Sequence, residues 1–154
     1  MRIFRYLDQA GSMGFGRFDD KGQTYLILKK EDGDFESTDQ RITPFQLLTP
    51  IDFRCIYAIG LNYRSHAEET GMEIPDHPMV FMKASTSIQN PGDPIVLPRF
   101  LRSDKVDFEG ELGVVIGRPC KNVTPQEALS YVLGYTCVND VSARDWQKEK
   151  GGGQ

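Results

Sequence analysis

The chain has 154 residues, 39% of them hydrophobic and 26% charged, with a formal net charge of −4 at neutral pH. That balance describes a folded domain with a core of ordinary size and excludes a disordered or membranous chain. The acidic excess, without any run of Lys or Arg, argues against nucleic acid or anionic membrane as a partner, and no apolar stretch approaches membrane-spanning length.

Fifteen Gly and nine Pro imply many turns and hence a strand-rich fold. The three cysteines, Cys55, Cys120 and Cys137, form an odd set without CxxC spacing, each beside apolar residues. They are expected to be reduced, buried thiols of a cytoplasmic protein. Met1–Tyr6 lacks the apolar core of a signal peptide.

In chain order, β-like runs are expected at Ile3–Leu7, Gly14–Phe18 and Thr24–Leu28, with a turn at Asp19–Gly22, giving a small antiparallel sheet. Residues 31–50 are polar and read as a connector with a helical turn at Phe45–Leu48. A composition shift near residue 51 divides the chain into a small N-terminal β domain with its connector (1–50) and a second unit (51–154). Cys55–Ile59 reads as a buried strand stopped by Gly60. Residues 62–71 are expected to be helical, with Gly71 as C-cap. Loop (72–78), strand (Met79–Ala84), turn (Pro91–Pro94) and short strand (Ile95–Leu97) follow. Thr124-Pro125-Gln126-Glu127 is a capping box with Pro at the first helical position, predicting a helix to Leu133. Tyr135–Val138 is a strand, and the polar tail from Lys148 to Gln154 is expected to be mobile.

The stretch Val106–Gly117 holds the strongest chemical signal. In a strand, Glu109 and Glu111 share a face with β carbons about 7 Å apart. Two like charges entering an apolar run repel each other, and a hard divalent cation with oxygen ligands would resolve the conflict. Asp140, which ends another apolar run, is the candidate third ligand. Gly110 and Gly113 would leave space for something to approach the backbone. A half-exposed strand has the same alternation, so a solvated face is the competing interpretation. Glu109 and Glu111 lie at the start of their strand and Asp140 at the end of its own. The three therefore meet only if the strands are antiparallel or cross, which commits the reading to a mixed or mostly antiparallel sheet.

The second signal is Gly60-Leu61-Asn62-Tyr63-Arg64-Ser65-His66-Ala67-Glu68-Glu69. On a helix His66 and Glu69 share a face, and a carboxylate beside an imidazole suits a general base acting on water. A solvated helical turn is the alternative.

From "IGLNYRSHAEE" through "PMVFMKASTSI", "PGDPIVLP" and "VDFEGELGVVIGR" to "GYTCVNDVSARDWQ", residues 55–154 resemble the fumarylacetoacetate hydrolase family, in particular its smaller acylpyruvate hydrolase and diene-dioate isomerase-like members. The resemblance implies an α+β, strand-rich β-roll. It implies a divalent metal, Mg²⁺ with Mn²⁺ or Ca²⁺ as substitutes, held by Glu109, Glu111 and Asp140. His66 and Glu69 would activate water, while Arg144, Gln147 and Lys83 would approach a small 2-oxo acid substrate. The helix around His66 would act as a lid, and the chain would form a homodimer.

The implied activity is hydrolysis of a C–C bond in an acylpyruvate; isomerisation, decarboxylation or dehydration on the same scaffold, or a non-catalytic paralogue, are the alternatives. The family extends past position 154 into a segment with a further lysine. On this basis the chain is expected to be truncated, with exposed sheet edges and apolar faces, marginal stability and poor activity.

Overall fold

The computed structural model describes residues 1–30, 34–52 and 55–151. The N-terminal part is an antiparallel five-stranded sheet built from β1 (Arg2–Leu7), β2 (Met13–Phe18), β3 (Thr24–Lys29), β4 (Phe35–Arg41) and β5 (Gln46–Leu48), in the order β4-β3-β2-β1-β5. Its packing follows from one register. Phe4 lies opposite Gly16 and Tyr6 opposite Gly14, and the rings cover the glycines. A β carbon at Gly14 would sit 2.9 Å from the Tyr6 ring, and one at Gly16 would press on the Phe4 ring. Phe4, Tyr6 and Ile27 are buried, and Phe4 stacks on Phe18 at 4.5 Å between ring centres.

The three expected strands and the Asp19–Gly22 turn are present, with Gly22 at φ +77°. The connector is not. Residues 35–41 pair with β3, and Gln46–Leu48 is a strand on β1 instead of a helical turn. Polar composition hid β4 because it is an edge strand, most of whose side chains face water. Residues 31–33 of the expected connector lie outside the described residues.

The second unit consists of paired strands. β6 (Ile56–Gly60) pairs antiparallel with β7 (Met79–Lys83), and helix α1 (Arg64–Thr70) lies between them in sequence. Gly71 closes α1 in the left-handed region at φ +66°, as expected of a C-cap. The E-x-E stretch is not one strand. It breaks at residues 108–109 into β8 (Val106–Asp107) and β9 (Gly110–Ile116).

After β9, Pro125–Ala128 forms a single turn, α2, followed by a 3₁₀ turn at Leu129–Tyr131. The capping box is made, Glu127 accepting from the Thr124 backbone N–H at 3.1 Å and from its hydroxyl at 2.7 Å. The helix stops short of Leu133 because Val132 already pairs with Ile116, opening β10 (Val132–Asn139). Tertiary pairing overrides helical propensity here. β9 and β10 are antiparallel, as are β8 and β11 (Ser142–Ala143). Ile95–Leu97 is not a strand; all three side chains are exposed.

The two units are joined at the β5 edge. The Thr49 N–H donates to Asn90 Oδ1 at 3.1 Å, and Gln46 Nε2 donates to Asp93 Oδ1 at 3.3 Å. A cavity of about 390 Å³ remains between the sheets, bordered by Met13, Phe15, Ile116 and Leu133.

Burial in the second unit is lopsided. One face of the β9–β10 hairpin carries Leu112, Val114, Ile116, Leu133 and Tyr135, all exposed; the opposite face carries Glu111, Gly113 and Val115, of which Val115 is buried. The whole chain exposes 12285 Å². A compact monomer of its mass would expose about 7,900 Å² on the usual scaling, so the expected apolar faces are indeed uncovered. The same fact corrects the cysteine expectation: Cys55, Cys120 and Cys137 are all exposed, Cys137 because it lies on the uncovered face. The Ile56–Gly60 strand is likewise half-exposed where a buried strand was expected. Among the described residues no helix is long and apolar enough to cross a membrane.

Candidate metal and catalytic site

The antiparallel β9–β10 pairing meets the geometric condition set by the sequence. Glu111 lies opposite Val138 and Gly110 opposite Asn139. One step further, the Asp140 N–H donates to the Glu109 carbonyl at 2.9 Å, and Asn139 Oδ1 accepts from the Glu109 N–H at 3.2 Å. Glu109, Glu111 and Asp140 thus gather at the open end of one hairpin. The strand break at 108–109 frees Glu109 from the strict strand period, and its carboxylate is taken by Arg144 and Ser142.

Gly113 has a different role from the one expected. A β carbon there would lie 2.6 Å from Val138 Cγ2 and 2.9 Å from Thr136 Cγ2. The glycine admits β10 side chains, whereas the space beside Gly110 is open.

The carboxylates are embedded in cations. Lys83, the last residue of β7, forms an ion pair through Nζ with Asp140 Oδ1. Arg144 Nη1 lies 2.9 Å from Glu109 Oε1, while Nη2 and Nε reach Asp107 Oδ2 at 3.0 and 3.1 Å. Ser142 Oγ donates to Glu109 Oε1 at 2.9 Å, and Arg144 Nη1 also donates to Gln147 Oε1 at 3.1 Å. Arg144 and Gln147 are therefore together, but Arg144 is turned towards the carboxylates. Asp107 was not singled out as a site residue; its place beside Glu109 in the sequence was the available signal.

Electrostatics decide whether these cations satisfy the cluster. The Glu111 carboxyl is pushed above the usual carboxylate range, first by burial, then by Asp140 and Glu109, and Lys83 only partly offsets them. Negative charge is left over at Glu111. Among the described residues no group of three or more His, Cys, Asp or Glu side chains is arranged to hold an ion as it stands. The donor chemistry nevertheless fits a hard divalent cation, since all three candidate ligands offer carboxylate oxygen and the neighbouring cations offset their repulsion at Glu111 only in part.

His66 and Glu69 lie where the sequence placed them, on one face of α1, and both are exposed. Among the described residues, no hydrogen bond or ion pair joins them to each other or to the carboxylates. The helix is held by fully buried Ala67 and by Tyr63, whose hydroxyl accepts the Leu112 N–H at 2.9 Å. Leu61, at φ +49°, turns the chain from β6 into this helix in a region uncommon for a bulky residue. Because Tyr63 ties the helix to the strand of Glu111, Tyr63→Phe is expected to cost about 1 kcal/mol. It should raise amide exchange in residues 62–70 while the N-terminal sheet is unchanged; hydrogen exchange followed by mass spectrometry checks this.

Asp145 is a second residue that sequence reasoning missed. It is almost fully buried and accepts from Lys150 Nζ at 2.8 Å, Ser103 Oγ at 2.5 Å and the Trp146 N–H at 3.0 Å. Lys150 and then Ser103 hold its carboxyl well below the usual range. The indole N–H of Trp146 donates to the Arg102 carbonyl at 3.2 Å. Together these bonds fix the loop before β8 against the turn after β11 and so brace Arg144. They also tie down Lys150, in the segment expected to be mobile; residues 152–154 lie outside the described residues.

A strand-rich, mostly antiparallel α+β chain with an all-oxygen acidic cluster at a hairpin mouth, beside a helix bearing His and Glu, defines a candidate metal-centred enzyme domain. The chain belongs to the fumarylacetoacetate hydrolase family: the model of the fumarylacetoacetate (FAA) hydrolase C-terminal region matches residues 55–154. An uncharacterized protein from Archaeoglobus fulgidus is 44% identical over 139 residues, 88% of this chain and 55% of that protein. The structure of a 5-carboxymethyl-2-hydroxymuconate delta-isomerase from Mycobacterium smegmatis is 37% identical with a TM-score of 0.79, over 98% of this chain and 59% of that one. A fumarylacetoacetate hydrolase from Exiguobacterium antarcticum is 30% identical with a TM-score of 0.79, over the same shares. The chain thus spans rather more than half the length of these relatives. Both a hydrolase and an isomerase stand among them.

Proposed function

We propose that this chain provides the metal-binding and water-activating part of a hydrolase that cleaves a C–C bond in an acylpyruvate. The observation that supports this most is the convergence of Glu109, Glu111 and Asp140 at the β9–β10 mouth, with charge at Glu111 that the neighbouring cations do not neutralise. These three residues would hold Mg²⁺ or Mn²⁺. The bound ion would supply Lewis-acid stabilisation of the negative charge that develops on the 2-oxo acid.

The chain's own groups do the rest. An imidazole nitrogen of His66 takes a proton from water, and Glu69 orients the ring and stabilises its charge. The water oxygen bonds to the distal carbonyl carbon and the adjacent C–C bond breaks. The acyl part leaves as a carboxylic acid, and the electron pair stays on the pyruvate fragment until it is protonated. Arg144 and Gln147 orient the substrate oxygens, Arg144 exchanging part of its present carboxylate contacts for the substrate.

Isomerisation of an unsaturated 2-oxo diacid is the second reading, favoured by the likeness to the delta-isomerase. An assay of acylpyruvates, oxaloacetate and unsaturated 2-oxo diacids, each with Mn²⁺ or with EDTA, separates them. Release of pyruvate and a carboxylic acid, abolished by EDTA, is the expected result. Double-bond migration without cleavage would replace the hydrolase by the isomerase, and CO₂ release from oxaloacetate alone would replace both.

A further inference from the structure

We propose that Lys83 is a positioning residue for the divalent ion: its ammonium group grips one oxygen of Asp140 and leaves the other free for metal. The proposal rests on the metal reading above and goes beyond it in assigning Lys83 to the ligand shell instead of the substrate.

Three observations support it. Lys83 comes from the β6–β7 pair and Asp140 from the end of β10, so the ion pair ties two sheets that share no strand ladder. The pair is largely covered, with the Asp140 side chain 10% exposed and that of Lys83 29% exposed. Such a contact fixes a rotamer in a way that a solvated surface pair does not. The grip is also one-sided. Lys83 takes Oδ1 of Asp140, while Arg144 and Ser142 both take Oε1 of Glu109. Among the described residues, Asp140 Oδ2, Glu109 Oε2 and the Glu111 carboxylate have no hydrogen-bond partner. Asp140 and Glu109 are each held through one oxygen with the other to spare, which is how outer-shell groups orient metal carboxylates.

The opposite role, in which Lys83 takes the place of the ion, fits the charges less well. Four carboxylates (Asp107, Glu109, Glu111, Asp140) against two cations (Lys83, Arg144) leave two negative charges, the complement of one divalent ion.

The test is a calorimetric Mn²⁺ titration of the 154-residue chain and its Lys83→Met, Lys83→Arg and Glu111→Gln variants. Lys83→Met should bind at least about 10-fold more weakly, as expected on losing an outer-shell partner. Lys83→Arg, which keeps a cationic donor, should recover most of the loss. Equal or tighter binding by Lys83→Met overturns the proposal. Thermal unfolding without metal checks that each variant folds; if Lys83→Met does not, Lys83→Gln decides by the same criterion. Full affinity in Glu111→Gln, or no site in the parent chain, shows that the metal reading itself is wrong. Loss in Glu111→Gln with full affinity in Lys83→Met removes only the role of Lys83.

Discussion

Glu111→Gln is expected to weaken Mn²⁺ binding by more than ~100-fold while leaving the metal-free chain at least as stable as its parent. The first half follows from ligand number, since even outer-shell changes in metal sites cost about 10–100-fold and Glu111 is one of three candidate ligands. The second half follows from the raised pKa. A carboxyl whose folded pKa lies above its unfolded value favours folding below the unfolded pKa and loses that contribution as pH rises through the folded pKa. At neutral pH its charge is a cost, caused by burial and by Asp140 and Glu109. An uncharged isostere removes that cost, and the glutamate has no hydrogen bond to lose. The pH dependence has the same origin. Protons compete with the ion, so affinity should begin to fall at a higher pH than an ordinary carboxylate would give. Calorimetry and thermal unfolding across pH check both halves. A Glu111→Gln chain that is clearly less stable than its parent would show that Glu111 is an ordinary structural residue.

His66→Ala is expected to behave in the opposite way, lowering kcat by ~10²–10⁴-fold, the usual scale of general acid–base catalysis, with Mn²⁺ affinity nearly unchanged. His66 is exposed on α1, so its removal leaves no cavity and disturbs no carboxylate. Glu69→Gln should give a smaller fall, because Glu69 acts through the ring. Acylpyruvate hydrolysis at the parental rate in His66→Ala would remove the water-activation role of His66.

The sequence pattern revealed the pairing at the candidate site better than it revealed the sheets around it. The antiparallel requirement on β9 and β10 was legible because three carboxylates at opposite strand ends admit few topologies, and the register of Glu111 against Val138 meets it. The capping box and the Gly71 C-cap were legible because each is a local hydrogen-bond device. What escaped was set by distant partners. β4 is polar and looks like a linker until β3 pairs with it. Residues 129–133 have helical spacing but are claimed by the strand opposite Ile116. The break at 108–109 has no local marker and arises where β8 and β9 choose different partners. Asp145 looked like one more charge in a polar segment; its burial depends on Ser103, 42 residues earlier in the chain.

The cysteines failed for a related reason. Apolar neighbours signal burial only when some element covers the face they share, and the face of β9–β10 that holds Cys137 is uncovered. Rather more than half of the relatives' length is matched here, and most of the exposed large apolar side chains lie in the unit that the family model matches. His66 stands apart from the carboxylates, so the proposed activity would depend on how α1 is held as much as on the candidate ligands. The Tyr63 contact with Leu112 is the described link between them.

The most direct test of the central claim is anomalous diffraction at the manganese edge from crystals of the protein grown with Mn²⁺. The account predicts one strong peak at the β9–β10 mouth, about 2.0–2.3 Å from an oxygen of each of Glu109, Glu111 and Asp140, with Lys83 still on the far oxygen of Asp140. Crystals that contain Mn²⁺ elsewhere, or none, with Lys83 and Arg144 still closed on these carboxylates, would contradict it.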